Sequence, residues 1–256
     1  VYFIYKDALK LNKTISKIEM RVAGAKGGIS GGTYESLSNV NKEALKDNEI
    51  FKTVISPYGL NPIGEQSGPD KYDLRKVKFD KTSKNWIGPF IMAAINTKIV
   101  RRSNALSGYL YGKDFEYDEA TLGGKGFNGR VKSVLMSIPL AIVMLAKPGS
   151  IIKKIVDKIL PSAGEGPSKK DRENGYFNLR FYVTYKDGSN SIAKVTGDRD
   201  PGYGSTSKML SESAICLAMD NLDSLDGVIT PSTAMGDNLL ERLENKSGLT
   251  FNIKHL

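Results

Sequence analysis

Residues 176–197, YFNLRFYVTYKDGSNSIAKVTG, constrain the fold more than any other stretch. Phe177, Leu179, Phe181 and Val183 alternate with polar neighbours, KDGSN supplies turn residues, and Ile192 and Val195 begin the return. Alternation puts every second side chain on one face, so this segment reads as an antiparallel hairpin with one buried face. Such a hairpin needs more strands beside it and helices over its apolar face. The same alternation marks a strand over 16–23, with Ile18, Met20 and Val22 opposed by Lys17, Glu19 and Arg21. FEYDEATL (115–122) and GLTFNI (248–253) read as shorter strands, the second following Gly248 as a helix stop.

Helical periodicity fills the gaps. GAKGGISGGT (24–33) is too glycine-rich for a regular element, after which Thr33 caps a helix running to about Lys46. Residues 57–86 read mostly as loop. Residues 88–110 read as a helix begun by Pro89, with Ile91, Ile95, Ile99 and Val100 at helical spacing. A helix from Ser205 to Met219 carries Leu210, Ala214, Leu217 and Ala218 as its inward stripe, and another covers about 232–245. The sequence therefore predicts an α+β fold. Its sheet is mixed and largely antiparallel, with strands paired locally rather than in βαβ alternation.

The 256 residues carry one cysteine, Cys216, and one histidine, His255. An intramolecular disulfide is impossible, and a metal centre built on His and Cys is not expected. A Ser-His or Cys-His nucleophile pair is not expected either, because its base would sit in a fraying terminus. The formal charge of +9 favours an anionic partner. No aromatic platform is interleaved with the basic residues, so nucleic acid is not the expected partner. The chain begins with Val1, followed by no signal-peptide pattern, and reads as a fragment or processed piece of an intracellular protein.

GDRDPGYGSTSKML (197–210) raises the question of a phosphate loop. Gly197 and Gly202 have P-loop spacing, but Tyr203 stands where the lysine belongs. Gly202 and Gly204 match part of a dinucleotide fingerprint, but Ser207 replaces its third glycine. These two glycines are weak cofactor candidates. The plainer reading is a tight turn with Ser205 or Thr206 capping a helix, and with Asp198 and Asp200 as turn residues rather than metal ligands.

SVLMSIPLAIVMLA (133–146) carries no charge over fourteen residues, too short to span a bilayer, with Pro139 inside it. IIKKIVDKIL (151–160) follows, with isoleucines on one face and lysines on the other. Residues 130–160 read as an insert that contacts a membrane surface through Ile138, Leu140, Ile151, Lys154, Ile155, Lys158 and Ile159. The alternative is a buried helix followed by an amphipathic surface helix.

GGTYES (31–36), PFIMAAINTKIVRRSNAL (89–106), GEGPSKKDRENGYFNLRFYV (164–183), GDRDPGYGSTSKMLSESAICLAMD (197–220) and GVITPSTAMGDNLLERLENKSGLTFNI (227–253) occur in that order. Together they resemble the C-terminal part of the saccharopine dehydrogenase-like oxidoreductases, a group that includes the trans-acting enoyl reductases. The resemblance implies an N-terminal Rossmann domain, absent from this chain, that holds most of the NAD or NADP. It implies a lipid-like substrate and association with lipid droplets, mitochondria or the plasma membrane. It supplies no catalytic residue in this half. From residue types alone, Arg101 and Arg102 suit an anionic group, and Thr33, Asn104 and Tyr203 suit orienting a carbonyl or supplying a proton. Their plainer readings are a surface arginine pair, an N-cap, a polar helix face and a packed tyrosine.

Overall fold

The computed structural model describes residues 1–27, 31–145, 149–159, 164–223 and 226–256. Its seven strands are β1 (Ile15–Lys26), β2 (Lys78–Asp80), β3 (Asn85–Gly88), β4 (Glu116–Gly124), β5 (Tyr176–Tyr185), β6 (Asn190–Gly197) and β7 (Leu249–His255). They form one mixed sheet in the order β2-β3-β4-β1-β5-β6-β7. The hairpin forms as expected, pairing Phe181 with Ala193 and Val183 with Ser191. The fold is α+β, as the sequence indicated, but the pairing is not all local. β1 runs parallel to β4 and antiparallel to β5, each far away in sequence. Alternation fixes which face a side chain takes and says nothing of which strand lies alongside.

The main core lies on the face that carries Ile18, Met20, Val22, Phe181, Val183 and Tyr185. Helix α1 (Tyr2–Lys10), which the sequence reading did not assign, covers it with Ile4 and Ala8. On the other face Arg21 is fully buried, ringed by Glu19, Asp80 and Asp118. That cluster ties the β2 edge to the centre of the sheet. A buried guanidinium needs this much compensation, because desolvating it alone costs several kcal/mol, on the order of the penalty for any buried ion.

Several boundaries move. The glycine-rich stretch is more regular than expected: β1 extends to Lys26 and helix α2 (Gly31–Ala44) starts at Gly31. Residues 28–30 lie outside the described residues. Thr33 therefore sits within the first turn of α2 rather than at its cap. Residues 85–88 are taken by β3, so helix α4 covers only Ala93–Leu106. The buried face of α4 is polar, with Thr97, Lys98, Arg101 and Asn104, while Ile95 points outward. Between α2 and β2, α3 (Asn48–Ile55) is capped by Asp47.

The C-terminal third holds α8 (Gly204–Met219) and α9 (Pro231–Lys246), which share a small core of Cys216, Met235 and Leu239. The expected inward stripe of α8 faces outward: Leu210 is 69% and Leu217 59% exposed. The helical spacing holds but faces solvent, because α8 packs on α9 through Cys216 instead. Gly248, at φ +70°, ends α9 as expected. His255 does not fray. It pairs with Ser191 at the β7 edge of the sheet, its Nδ1 2.9 Å from Ser191 Oγ. Ser191 is buried and takes a hydrogen bond from Tyr185, so the pair acts as a strand staple rather than an exposed nucleophile.

Candidate functional site

The glycine loop does cradle an anion, and the anion is its own. Asp200 is fully buried, and its carboxylate accepts from the backbone N–H groups of Gly202 (3.0 Å), Tyr203 (2.9 Å) and Gly204 (2.7 Å). The N–H of Ser205 goes to the Asp200 carbonyl at 2.9 Å. The first orphan amides of α8, which make a helix N-terminus attractive to phosphate, are thus already satisfied. Ser205 and Thr206 do not cap the helix; their hydroxyls donate to the carbonyls of Arg199 and Pro201. Glycines crowd the same carboxylate. A Cβ on Gly27, Gly175 or Gly204 would press on Asp200. Sequence reasoning took Asp200 for an ordinary turn residue. The signal that marks it was present: an aspartate followed by Pro-Gly and a helix start is an Asx cap in waiting.

Beside this hub lies a cleft of about 470 Å³. Its walls come from the start of α8 and from α7 (Lys169–Glu173), a short helix capped by Ser168. Lys169, Arg172, Arg199 and Lys208 line it, with Glu173, Tyr203 and Gly166. Tyr203 stands against Gly166, where a Cβ would strike its ring, and donates its hydroxyl to the Glu165 carbonyl at 3.2 Å. Of the site residues expected from sequence, Gly202, Tyr203 and Gly204 therefore share this loop, and Tyr203 and Gly204 line the cleft.

The remaining expected site residues lie on other elements. Arg101 is buried and engages Asp70 (2.7 Å), the carbonyls of Pro57 (3.0 Å) and Tyr117 (3.1 Å), and Thr97 (3.2 Å). Arg102 reaches the carbonyls of Leu60 and Val228. Asn104 clamps the following turn, donating to the Gly112 carbonyl and accepting from the Tyr111 amide. These three residues stitch the loop 57–70 and the 109–112 turn to α4, and share no partner with Tyr203. Burial pushes the Asp70 carboxyl up while Arg101 opposes the shift. Nearby, Glu119 is buried, with Tyr117 Oη at 2.8 Å and Asn96 Nδ2 at 3.0 Å, and burial pushes its pKa up to about 7. No cluster of three His, Cys, Asp or Glu side chains suited to a metal occurs among the described residues.

The expected membrane insert has a defined geometry. Helix α5 (Gly126–Leu145) packs on β3 and β4 through small residues: Gly129 lies against Gly124, and Ser133 against Gly88 and Gly123. This leaves Phe127, Val131, Val134, Leu135, Ile138 and Ile142 exposed at helical spacing, in one outward stripe. Leu140 is half-buried. Helix α6 (Ile151–Ile159) buries Val156 and exposes Ile151, Ile152, Ile155, Lys154 and Lys158. The side chain of Ile159, and residues 146–148 and 160, lie outside the described residues. Among the described residues no helix is long and apolar enough to cross a membrane.

The chain is 38% identical over 239 residues to a Mycobacterium tuberculosis protein that bears the trans-acting enoyl reductase name provisionally. The match covers 87% of this chain and 56% of that relative. Trans-acting enoyl reductases of Mycobacterium ulcerans and Mycobacterium leprae are 35% and 33% identical, over 84% of this chain and 54% of their own lengths. The chain thus spans about half the length of the curated relatives it matches. No protein-family model and no solved structure matches it.

Proposed function

We propose that this chain supplies the substrate-side region of an NAD(P)H-dependent enoyl reductase, which saturates a carbon–carbon double bond conjugated to a carbonyl. The observation that carries this reading is the 38% identity across 87% of the chain to a relative with that reductase name. The cofactor belongs mainly to a Rossmann-type region among the residues that the longer relatives have outside the match, as the resemblance to saccharopine dehydrogenase-like oxidoreductases implies. The 197–210 loop, which has the nearest glycine spacing, is not free to take a pyrophosphate, because it gives its amides to Asp200. No step through the cofactor is therefore assigned to residues of this chain.

The substrate in this reading is lipid-like, and the protein works at a membrane or lipid-droplet surface. The outward stripe of α5, with the isoleucines and lysines of α6 beside it, supports that placement. An interfacial helix gains from buried apolar area and from attraction of about 1 kcal/mol per lysine to an anionic leaflet. The same stripe favours a second reading, a non-enzymatic membrane-surface module, because it needs no catalytic group. Nicotinamide oxidation by the full-length protein, with a long-chain 2-enoyl thioester, separates the two. Turnover supports the reductase. Vesicle binding with no cofactor binding and no turnover overturns it in favour of the module.

A further inference from the structure

We propose that the cleft between α7 and the start of α8 binds a phosphate group, and that side chains rather than backbone amides hold it. The inference rests on the charge and geometry of the cleft and does not depend on the reductase reading. Among the described residues, four cations line the cleft against one carboxylate, Glu173. Lys208 is committed elsewhere, to Asp198 at 2.9 Å. The other three are not. Lys169 and Arg199 share Glu173 at 4.0 and 3.9 Å, beyond hydrogen-bond distance. Arg172 is half-buried, spends one N–H on the Pro167 carbonyl at 3.0 Å, and, among the described residues, has no carboxylate within ion-pair distance.

Gathering three weakly paired cations around a concave space costs repulsion that a bound dianion would relieve. A phosphate oxygen fits the unused donors of Arg172 and Arg199, which form planar forks suited to bidentate contact. The Gly204 and Ser205 amides play no part, since Asp200 holds them. Asp200 instead fixes the floor: its own N–H donates to the Arg172 carbonyl at 3.1 Å, tying that arginine to the loop. Glu173 is then the internal competitor that a phosphate displaces. This gives the site a signature that a merely basic surface lacks: removing an acid should improve binding, and removing either cation that shares it should weaken binding.

The ligand could present the phosphate at the end of a soluble molecule or on a lipid headgroup, and the test separates these sources. The full chain is titrated calorimetrically with inorganic phosphate and with pyrophosphate. Saturable one-to-one binding is expected. Arg199→Gln and Lys169→Gln should each weaken it by about tenfold. Glu173→Gln should tighten it by about threefold. Lys254→Gln, on the far strand β7, should leave it unchanged. Thermal unfolding of each variant confirms that the exposed substitutions keep the fold. Vesicles containing phosphatidic acid are then offered to a Leu135→Glu background that lacks the α5 apolar contact. Retention that Arg199→Gln abolishes assigns a lipid headgroup; absence of retention, with free phosphate still bound, assigns a soluble ligand. No saturable binding of either anion overturns the proposal, and so does an affinity that Arg199→Gln and Glu173→Gln leave within about twofold of the parent.

Discussion

Asp200 takes the backbone N–H of Gly204 at 2.7 Å, and with it the amides of Gly202 and Tyr203. One buried side chain thus does the work of a phosphate in a nucleotide loop. Replacing it with alanine leaves three amides and no acceptor in a space too tight for easy rearrangement. Asp200→Ala should cost about 3 kcal/mol, and Asp200→Asn, which keeps one accepting oxygen, roughly half as much. Urea unfolding monitored by circular dichroism gives both values. A loss under about 0.5 kcal/mol for alanine would show that water replaces the carboxylate.

The same hub makes Gly175 an indispensable glycine for steric rather than conformational reasons. A Cβ there would come within 2.5 Å of the Asp200 backbone nitrogen and Cα. Backbone cannot swing aside as a side-chain tip can, so Gly175→Ala should destabilise by about 1–3 kcal/mol. Gly188, whose Cβ would meet nothing, has φ +83° and should suffer through strain alone, by about 1 kcal/mol. The difference between the two urea midpoints checks the steric argument.

Arg101 and Arg102 are adjacent in sequence and unequal in structure. Arg101 is buried on Asp70, two carbonyls and Thr97, so Arg101→Ala should cost about 3–5 kcal/mol by leaving Asp70 an unpaired buried charge. Arg102→Ala removes contacts to one part-buried and one exposed carbonyl and should cost about 1 kcal/mol. Retained stability of Arg101→Ala together with a raised KM would return Arg101 to the substrate site.

β1 and the hairpin were legible because each advertised its face through local alternation, and β7 because Gly248 marks the helix stop before it. The parallel β1–β4 pair was not, since nothing in a strand names its neighbour. Helices were harder to orient. On α5 the sheet-facing residues are Gly129, Ser133 and Ser137, small enough to seat the helix on glycines, and the large apolar residues are left outside. On α4 the inward face is polar because loop carbonyls and Asp70 meet it there. Both invert the rule that apolar side chains point in, and only a partner's shape could reveal it. The basic cleft was equally hidden: Arg172 and Arg199 are 27 positions apart and are joined only by the β5–β6 hairpin.

Glu119 gives the stability a pH dependence of definite sign. Burial raises its folded pKa from 4.5 to about 7. The native state therefore holds a proton that the unfolded chain releases between those values, and stability falls as pH rises across that window. The contribution is fully present below about pH 4.5 and gone above about pH 7, a span of about 3 kcal/mol. Glu119→Gln should remove that decline and be the more stable protein at pH 8, with Asn96 turning its amide to suit. Unfolding curves at a series of pH values measure it; parallel profiles for parent and variant would exclude Glu119 as the source.

The outward stripe of α5 makes a prediction that separates docking from packing. Leu135 and Ile138 are exposed, so changing both to Glu should alter folding stability by no more than about 0.5 kcal/mol each. If the stripe lies in a membrane interface, each loses about 1.5–3 kcal/mol of apolar burial there, and flotation with anionic vesicles should fall by more than about tenfold. Lys154→Gln and Lys158→Gln should weaken flotation by about fivefold each at low salt and by less at high salt, because their share is electrostatic. The exposed stripe of α8 is the internal control. Leu210 and Leu217 are as bare as the α5 residues but have no comparable lysine-bearing helix beside them, so Leu210→Glu with Leu217→Glu should leave flotation intact. Loss of flotation in the α8 variant, with the α5 variant unaffected, would move the membrane contact to α8 and leave α5 to a protein partner.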